Sequence, residues 1–298
     1  MAATHSLTRL LSGREFSRKD FKLIKDIIRL CPHLSRKELS KVISENLSWY
    51  QSNGEPKHRA CMKVLEKLEA LGHIKLPPLR YSPLKGVSQK VKITGQSDAG
   101  SLLTGRIDEY GAVVIEPVEG EAAMKLWGEY IERYHYLGCK RAFGNQQRYF
   151  VRLADGTLVG CLLYSAPAWA VACRDEWIGW DRLQRTRGLH LIVNMSRFLI
   201  FPWVKVKNLA SRILSLSVKQ LSGDWLRRHT YRPVLIESFV DRALYRGVCY
   251  RAANWQSIGL TTGRGRMDRW HKGLSTIKEV FVYPLSGSFR EELKGRQR

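Results

Sequence analysis

The chain has 298 residues, with 50 Lys and Arg against 27 Asp and Glu and a formal net charge of +23. With 44% hydrophobic residues it has enough apolar material for a substantial core, which excludes a disordered basic tail. It has no apolar run of about 18 residues, so a membrane-spanning helix is excluded too, and Leu7–Leu11 is too short an apolar stretch for a secretory signal.

Such a surplus gathers polyanions, and nucleic acid, DNA first, is the expected partner rather than a membrane surface. Cys31, Cys61, Cys139, Cys161, Cys173 and Cys249 form no C-x-x-C pair, and most lie in apolar stretches. They read as reduced thiols of a cytoplasmic protein. A zinc site on His58 and Cys61 lacks two further ligands at sensible spacing, so no metal is expected.

Residues 1–80 read as helical. Phe21, Ile24, Ile27, Ile28 and Cys31 recur at helical spacing, and Pro32 is placed to end that helix. Ser35 and Glu38 have the form of a capping box and open a second helix. Asn53–Pro56 is a turn, and a third helix begins near His58, with Cys61, Val64, Leu65, Leu68 and Leu71 inside. His73–Pro78 reads as a short strand closed by prolines. Three short helices followed by a strand predict a winged-helix-like, DNA-binding module, with the third helix in the major groove. Its polar face carries Lys57, His58, Arg59, Lys63 and Lys67. The alternative is a helical packing module with solvated lysines. Residues 81–110, rich in Ser, Gly and Lys, read as a basic linker.

Residues 111–298 read as mixed α/β, so the whole chain is α+β. Strands are predicted over Ala112–Val118, Arg148–Leu153, Thr157–Ser165, Leu189–Val204, Pro233–Val240 and Val280–Leu285. The second and third form a hairpin across Ala154-Asp155-Gly156. Helices are predicted over Glu121–Arg133, Asn208–Leu221 and Tyr245–Ala253. That order resembles the acetyltransferase fold of the GNAT superfamily. The glycine-rich pyrophosphate loop usual in that superfamily is missing: Val204–Asn208 has no glycine, although Lys205 and Lys207 beside a helix start could hold an anion.

Further motifs are Tyr134–Gly138, Trp177–Trp180, Asn194–Trp203, Leu209–Ser211, Glu237–Asp241, Gly247–Trp255, Gly259–Gly265 and Tyr283–Leu285. On these the chain resembles the DruA family of the Druantia anti-phage defence systems over about residues 120–290. The resemblance implies a bacterial defence role, with a helicase or other defence subunits as partners, or an association with mobile elements, where related proteins are labelled transposases.

Polar residues inside apolar strands point to chemistry, because burying them is costly unless they are paired or used. Asn194, Ser196 and Arg197 interrupt one strand; Glu237 lies inside another, which Asp241 ends. The candidate catalytic residues are His135, Asn194, Glu237, Asp241 and Tyr250. Glu237 or His135 could take a proton from an acceptor amine, and Tyr245 or Tyr250 could protonate a leaving group. Structural alternatives are an Arg197–Glu237 bridge, a core His135 and packing tyrosines. Candidate nucleic-acid contacts are Lys57, Arg59, Lys63, Lys67, Arg197, Lys205, Lys207, Arg251, Arg264 and Arg266, the last two in a Gly-Arg loop.

Three functions stay open at this point. One is a DNA-binding defence component. The second is a GNAT-like transferase that uses acyl-CoA to modify a nucleobase or protein amine. The third is a metal-dependent nuclease or transposase built on acids such as Asp181, Glu237 and Asp241.

Overall fold

The computed structural model describes residues 9–31, 34–78, 91–140, 142, 144–263 and 276–295. The chain divides into two units, Met1–Ser88 and Gln89–Arg298.

The first unit opens with a hairpin of β1 (Arg9–Leu11) and β2 (Arg14–Phe16). Ser12 and Gly13 both adopt positive φ, 48° and 80°, the turn geometry whose twist matches an antiparallel pair. Helix α1 (Arg18–Leu30) starts at a reciprocal cap between Ser17 and Asp20, and α2 (Arg36–Asn46) at the predicted one between Ser35 and Glu38. Helix α3 spans His58–Ala70. Phe16, Ile24, Leu39, Ile43 and Leu65 are buried at the centre, with Trp49 edge-on to Phe16 at 5.5 Å. Each such aliphatic side chain contributes about 1.5–3 kcal/mol by leaving water.

Two expectations change here. His73–Pro78 forms no strand. Pro77 and Pro78 have no N–H to give a ladder. The segment is instead held by Glu69, which accepts from Leu76 N at 2.8 Å and binds Arg36, whose Nε reaches Pro77 O at 2.6 Å. Among the described residues, the strands of this unit precede α1 and none follows α3. Pro32, the expected helix stop, lies outside the described residues; α1 ends two residues before it.

In the second unit, much of the expected linker is structured. Residues Gly95–Ser97 and Ile107–Tyr110 form 3-10 turns around β3 (Leu103–Arg106). The segment is held by Ile107, which is buried in the main core with Leu103 and Tyr110 packed against it, and by polar contacts. A buried Glu129 accepts from Thr94 N at 2.8 Å and Ser97 Oγ at 3.2 Å, and these bonds hold its carboxyl below the usual range against the opposing effect of burial.

Then follow β4 (Val113–Pro117), α4 (Glu121–Tyr134), β5 (Gln146–Leu153), β6 (Leu158–Ser165), α5 (Ala172–Ile178), α6 (Arg182–Gly188) and β7 (Ile192–Ile200). The chain continues through β8 (Val204–Lys207), α7 (Leu209–His229), β9 (Leu235–Asp241), α8 (Val248–Ala252), β10 (Gln256–Leu260), β11 (Lys278–Pro284) and α9 (Phe289–Leu293). Seven strands form one sheet in the order β10-β11-β9-β7-β6-β5-β4, antiparallel except for β7 and β9. That parallel pair needs a crossover, which the 21-residue α7 supplies. β8 leaves this sheet and pairs in parallel with β3.

Side-chain alternation along the central strands divides the core. Val193, Ile236 and Phe281 pack in one cluster with Trp127 of α4 and Ile213 of α7. Their neighbours Ile192, Leu235 and Val282 pack in another with Ile178, Phe289 and Leu293. The expected 189–204 strand is two: β7 ends at Ile200, and Val204–Lys207 belongs to β8. Helix α7 runs past Gly223 to His229, because Leu221, Asp224 and Trp225 continue its buried face.

Candidate functional site

β7 and β9 pair from Ile192↔Leu235 to Met195↔Ser238 and no further. Beyond that point each strand keeps its outer neighbour, β6 for β7 and β11 for β9, so the two part. The parting coincides with an irregularity in β7. Leu163 pairs with Arg197 while Tyr164 pairs with Met195, leaving Ser196 as an extra residue. A bulge of this kind bends and twists its strand and re-aims nearby side chains.

A cavity of about 1330 Å³ opens where the strands diverge. His135, Asn194, Asp241 and Tyr250 line it, as do Ser196 and Arg197. The sequence reading therefore brings four of its five catalytic candidates to one place. Glu237 is the exception. It is fully buried beside the cavity and engaged through both oxygens: Oε1 accepts from Ala168 N at 2.8 Å, and Oε2 from Arg174 Nη1 at 2.6 Å. The bridge between Arg197 and Glu237, the structural alternative for both residues, does not form. Asn194 is the residue in register with Glu237, and Arg197 lies three positions further on, past the end of the pairing. Burial alone would lower Arg174, but Glu237 and Asp175 more than offset it and hold the guanidinium protonated. Sequence reasoning missed Arg174, whose Trp177–Trp180 neighbourhood was noted only as a motif.

His135 follows α4. Burial, with Arg197 adding to it, pushes its imidazole down to about 4. Its Nδ1 accepts from Leu137 N at 3.2 Å, which leaves the proton on Nε2. In that state His135 offers a donor to the cavity, and its accepting nitrogen is already used. Arg197 donates to Gly138 O at 3.1 Å and Ser196 O at 2.7 Å; among the described residues it has no carboxylate partner. Asn194 is 7% exposed, and its Oδ1 is buried without a hydrogen bond. Asp241 accepts from Ala243 N at 3.0 Å and from Thr276 Oγ1. Tyr250 is a core residue: it stacks on Phe281 at 5.1 Å and shares a 3.0 Å bond with Ser238 Oγ, and burial raises its phenol.

The candidate nucleic-acid contacts distribute differently. Arg59, Lys63 and Lys67 are exposed and, at four-residue spacing, share one face of α3; Lys57 precedes the helix and is exposed too. Lys205 and Lys207 are exposed on β8. Arg251 is bound to Glu279 at 2.5 Å and does not line the cavity. Arg264 and Arg266 lie outside the described residues. Of the tryptophans, Trp180 and Trp255 are buried, Trp177 stacks on Phe289, and Trp169 stands exposed at the cavity. Asp181 caps α6. Among the described residues no group of three or more His, Cys, Asp or Glu side chains could hold a metal ion, and no helix is long and apolar enough to cross a membrane.

A mixed sheet has one parallel pair that splays beside a bulge and is joined by a long crossover helix, in an element order close to the one read from the sequence. The family model described as Druantia protein DruA matches residues 101–275, more than half of the chain. The chain belongs to the DruA family. Among solved structures it is similar to a Vibrio cholerae spermidine N-acetyltransferase in complex with CoA and spermine, at 10% identity and TM-score 0.40, covering 58% of this chain and 95% of that one. A Vibrio cholerae spermidine/spermine N-acetyltransferase in complex with manganese ions is similar at 12% identity and TM-score 0.38, covering 60% and 95%. A search of curated proteins finds no match.

Proposed function

We propose that this chain is the DNA-binding component of its defence system, contacting DNA backbone through the α3 face and through cationic residues of the second unit. The supporting observation is that Arg59, Lys63 and Lys67 lie exposed on one helix face and, among the described residues, form no ion pair. Unpaired exposed cations on a chain of charge +23 are available to phosphates, and neutralising phosphates releases counterions. The remaining subunits of the system are its expected partners.

The parted strands favour a second reading, a GNAT-like transferase, but the residues present fit it poorly. Glu237 is locked to Arg174, and the accepting nitrogen of His135 is occupied. The segment where acyl-CoA would need a glycine-rich loop is β8, committed to a ladder with β3. The cavity is better equipped to bind than to move a proton.

The test is a titration of labelled duplex DNA with the wild-type chain and with Arg59→Ala/Lys63→Ala/Lys67→Ala. The proposal expects weaker binding by the triple variant at unchanged thermal stability, with the salt slope reduced by about 2–3. Equal binding by both proteins would remove α3 from the interface.

A further inference from the structure

We propose that the cavity between the parted strands holds a single unstacked nucleobase bearing an exocyclic amine, together with its phosphate. This inference names a ligand for the second unit and rests on the DNA-binding reading only for the source of the base.

Four features of the cavity carry it. First, its volume of about 1330 Å³ exceeds the roughly 300–1,000 Å³ of ordinary small-molecule sites, so a nucleotide fits with room for its backbone. Second, its floor carries Asn194 next to the last paired residues of β7 and β9. The buried Oδ1 of Asn194 has no hydrogen bond in the ligand-free chain. An unsatisfied buried acceptor costs about 1–3 kcal/mol, and a native chain that keeps one generally has a use for it. Turned toward the cavity, this amide offers an acceptor and a donor side by side, the pairing that reads the amine edge of adenine. Ser165, in register with Asn194 on β6, lines the same floor.

Third, the cations are placed for a phosphate. Arg197 is half-buried, lacks a carboxylate partner among the described residues, and spends its hydrogen bonds on two backbone carbonyls. Lys140 and Lys278 also line the cavity, and His135 adds a neutral Nε2–H donor. Fourth, exposed aromatic rings stand beside these cations, Tyr136 with one face stacked on His135 at 4.9 Å and Trp169 with the Arg185 guanidinium 5.8 Å from its ring centroid. Tyr136 and Tyr245 lie with ring centroids 6.0 Å apart, both exposed, and Trp169 is 55% exposed. Exposed large aromatics beside a cationic pocket provide the stacking surface that unpaired bases use. An acceptor amide at the bottom, a cation part-way and aromatics outside follow the order amine, phosphate, neighbouring base.

The same base could come from an extrahelical nucleotide in DNA or from a free nucleotide, and one experiment separates these sources. Fluorescence anisotropy would follow a fully paired duplex and the same duplex with one unpaired adenine, and calorimetry would follow deoxyadenosine monophosphate alone. The expected result is that the unpaired adenine binds about tenfold more tightly than the paired duplex. Asn194→Ala and, as a surface variant that leaves the floor intact, Tyr245→Ala each shrink that difference while leaving paired-duplex binding unchanged. Binding of the mononucleotide without any DNA preference would support the site and assign it to a free nucleotide. Equal binding of both duplexes with no mononucleotide binding would overturn the inference and leave the DNA-binding proposal standing. Failure of every duplex with retained mononucleotide binding would do the reverse.

Discussion

Arg174 and Glu237 form an ion pair at 2.6 Å with both side chains at zero exposure, and together they grip the backbone of one cavity-wall residue, Ala168, from both sides. Glu237 accepts the Ala168 N–H at 2.8 Å, while Arg174 donates to the Ala168 carbonyl at 2.9 Å. Residues 168–172 all line the cavity, and Trp169 stands at their head. The pair therefore shapes the wall without facing the ligand space.

It follows that Glu237→Gln acts on stability. Removing one charge of a buried pair costs about 3–5 kcal/mol when the other is left alone; Arg174 keeps Asp175 at 2.8 Å, which places the expected loss at the lower end of that range. Urea unfolding of the full chain should show a loss of that size, and a double replacement of Arg174 and Glu237 by apolar residues of similar volume should recover part of it. A Glu237→Gln protein as stable as the wild type would return Glu237 to the list of proton acceptors.

His135 gives a pH signature. Its pKa is pushed down to about 4 in the folded chain, against about 6.5 for an unfolded histidine. Between those values the unfolded state binds the extra proton, so stability rises with pH through that window, is full above about 6.5 and is lost as pH falls toward 4. The loss should be on the order of 2 kcal/mol, discounted for partial exposure. Thermal melts across the window measure it, and His135→Gln should flatten this part of the profile. An unchanged profile would contradict the buried neutral state.

Gly247 is a backbone requirement of the cavity rim. It adopts φ 68°, and a Cβ there would meet Phe281 Cζ at 2.6 Å, the ring on which Tyr250 stacks. Gly247→Ala combines a strained conformation with overpacking, and should destabilise the second unit by about 1–3 kcal/mol. Chemical denaturation reads this directly. Gly156→Ala, with a similar positive φ but nothing within 4 Å, isolates the strain component.

Much of this arrangement was legible in the sequence because it is local. The β5–β6 hairpin follows from alternation and its Asp155-Gly156 turn, and the α2 cap from Ser35 and Glu38. Asn194 and Asp241 could be singled out as polar interruptions of apolar strands. Other features depend on distant partners. α5 and α6 have seven residues each, too few for a clear helical period. β8 and β3 are four-residue strands that exist only as each other's partner. Glu237 looked available because its neutralising arginine is 63 residues earlier, on one of those short helices. The polar ties of residues 91–110 carry no hydrophobic signature, so the segment read as a linker.

The central claim is that the positive surplus exists to hold DNA, and one measurement addresses it most directly. The affinity of the full chain for a labelled duplex should be followed as salt rises from roughly 50 to roughly 200 mM. If many phosphates are neutralised, affinity falls by about a thousandfold or more over that range. A change of less than about threefold, or no binding at the lowest salt, would contradict it.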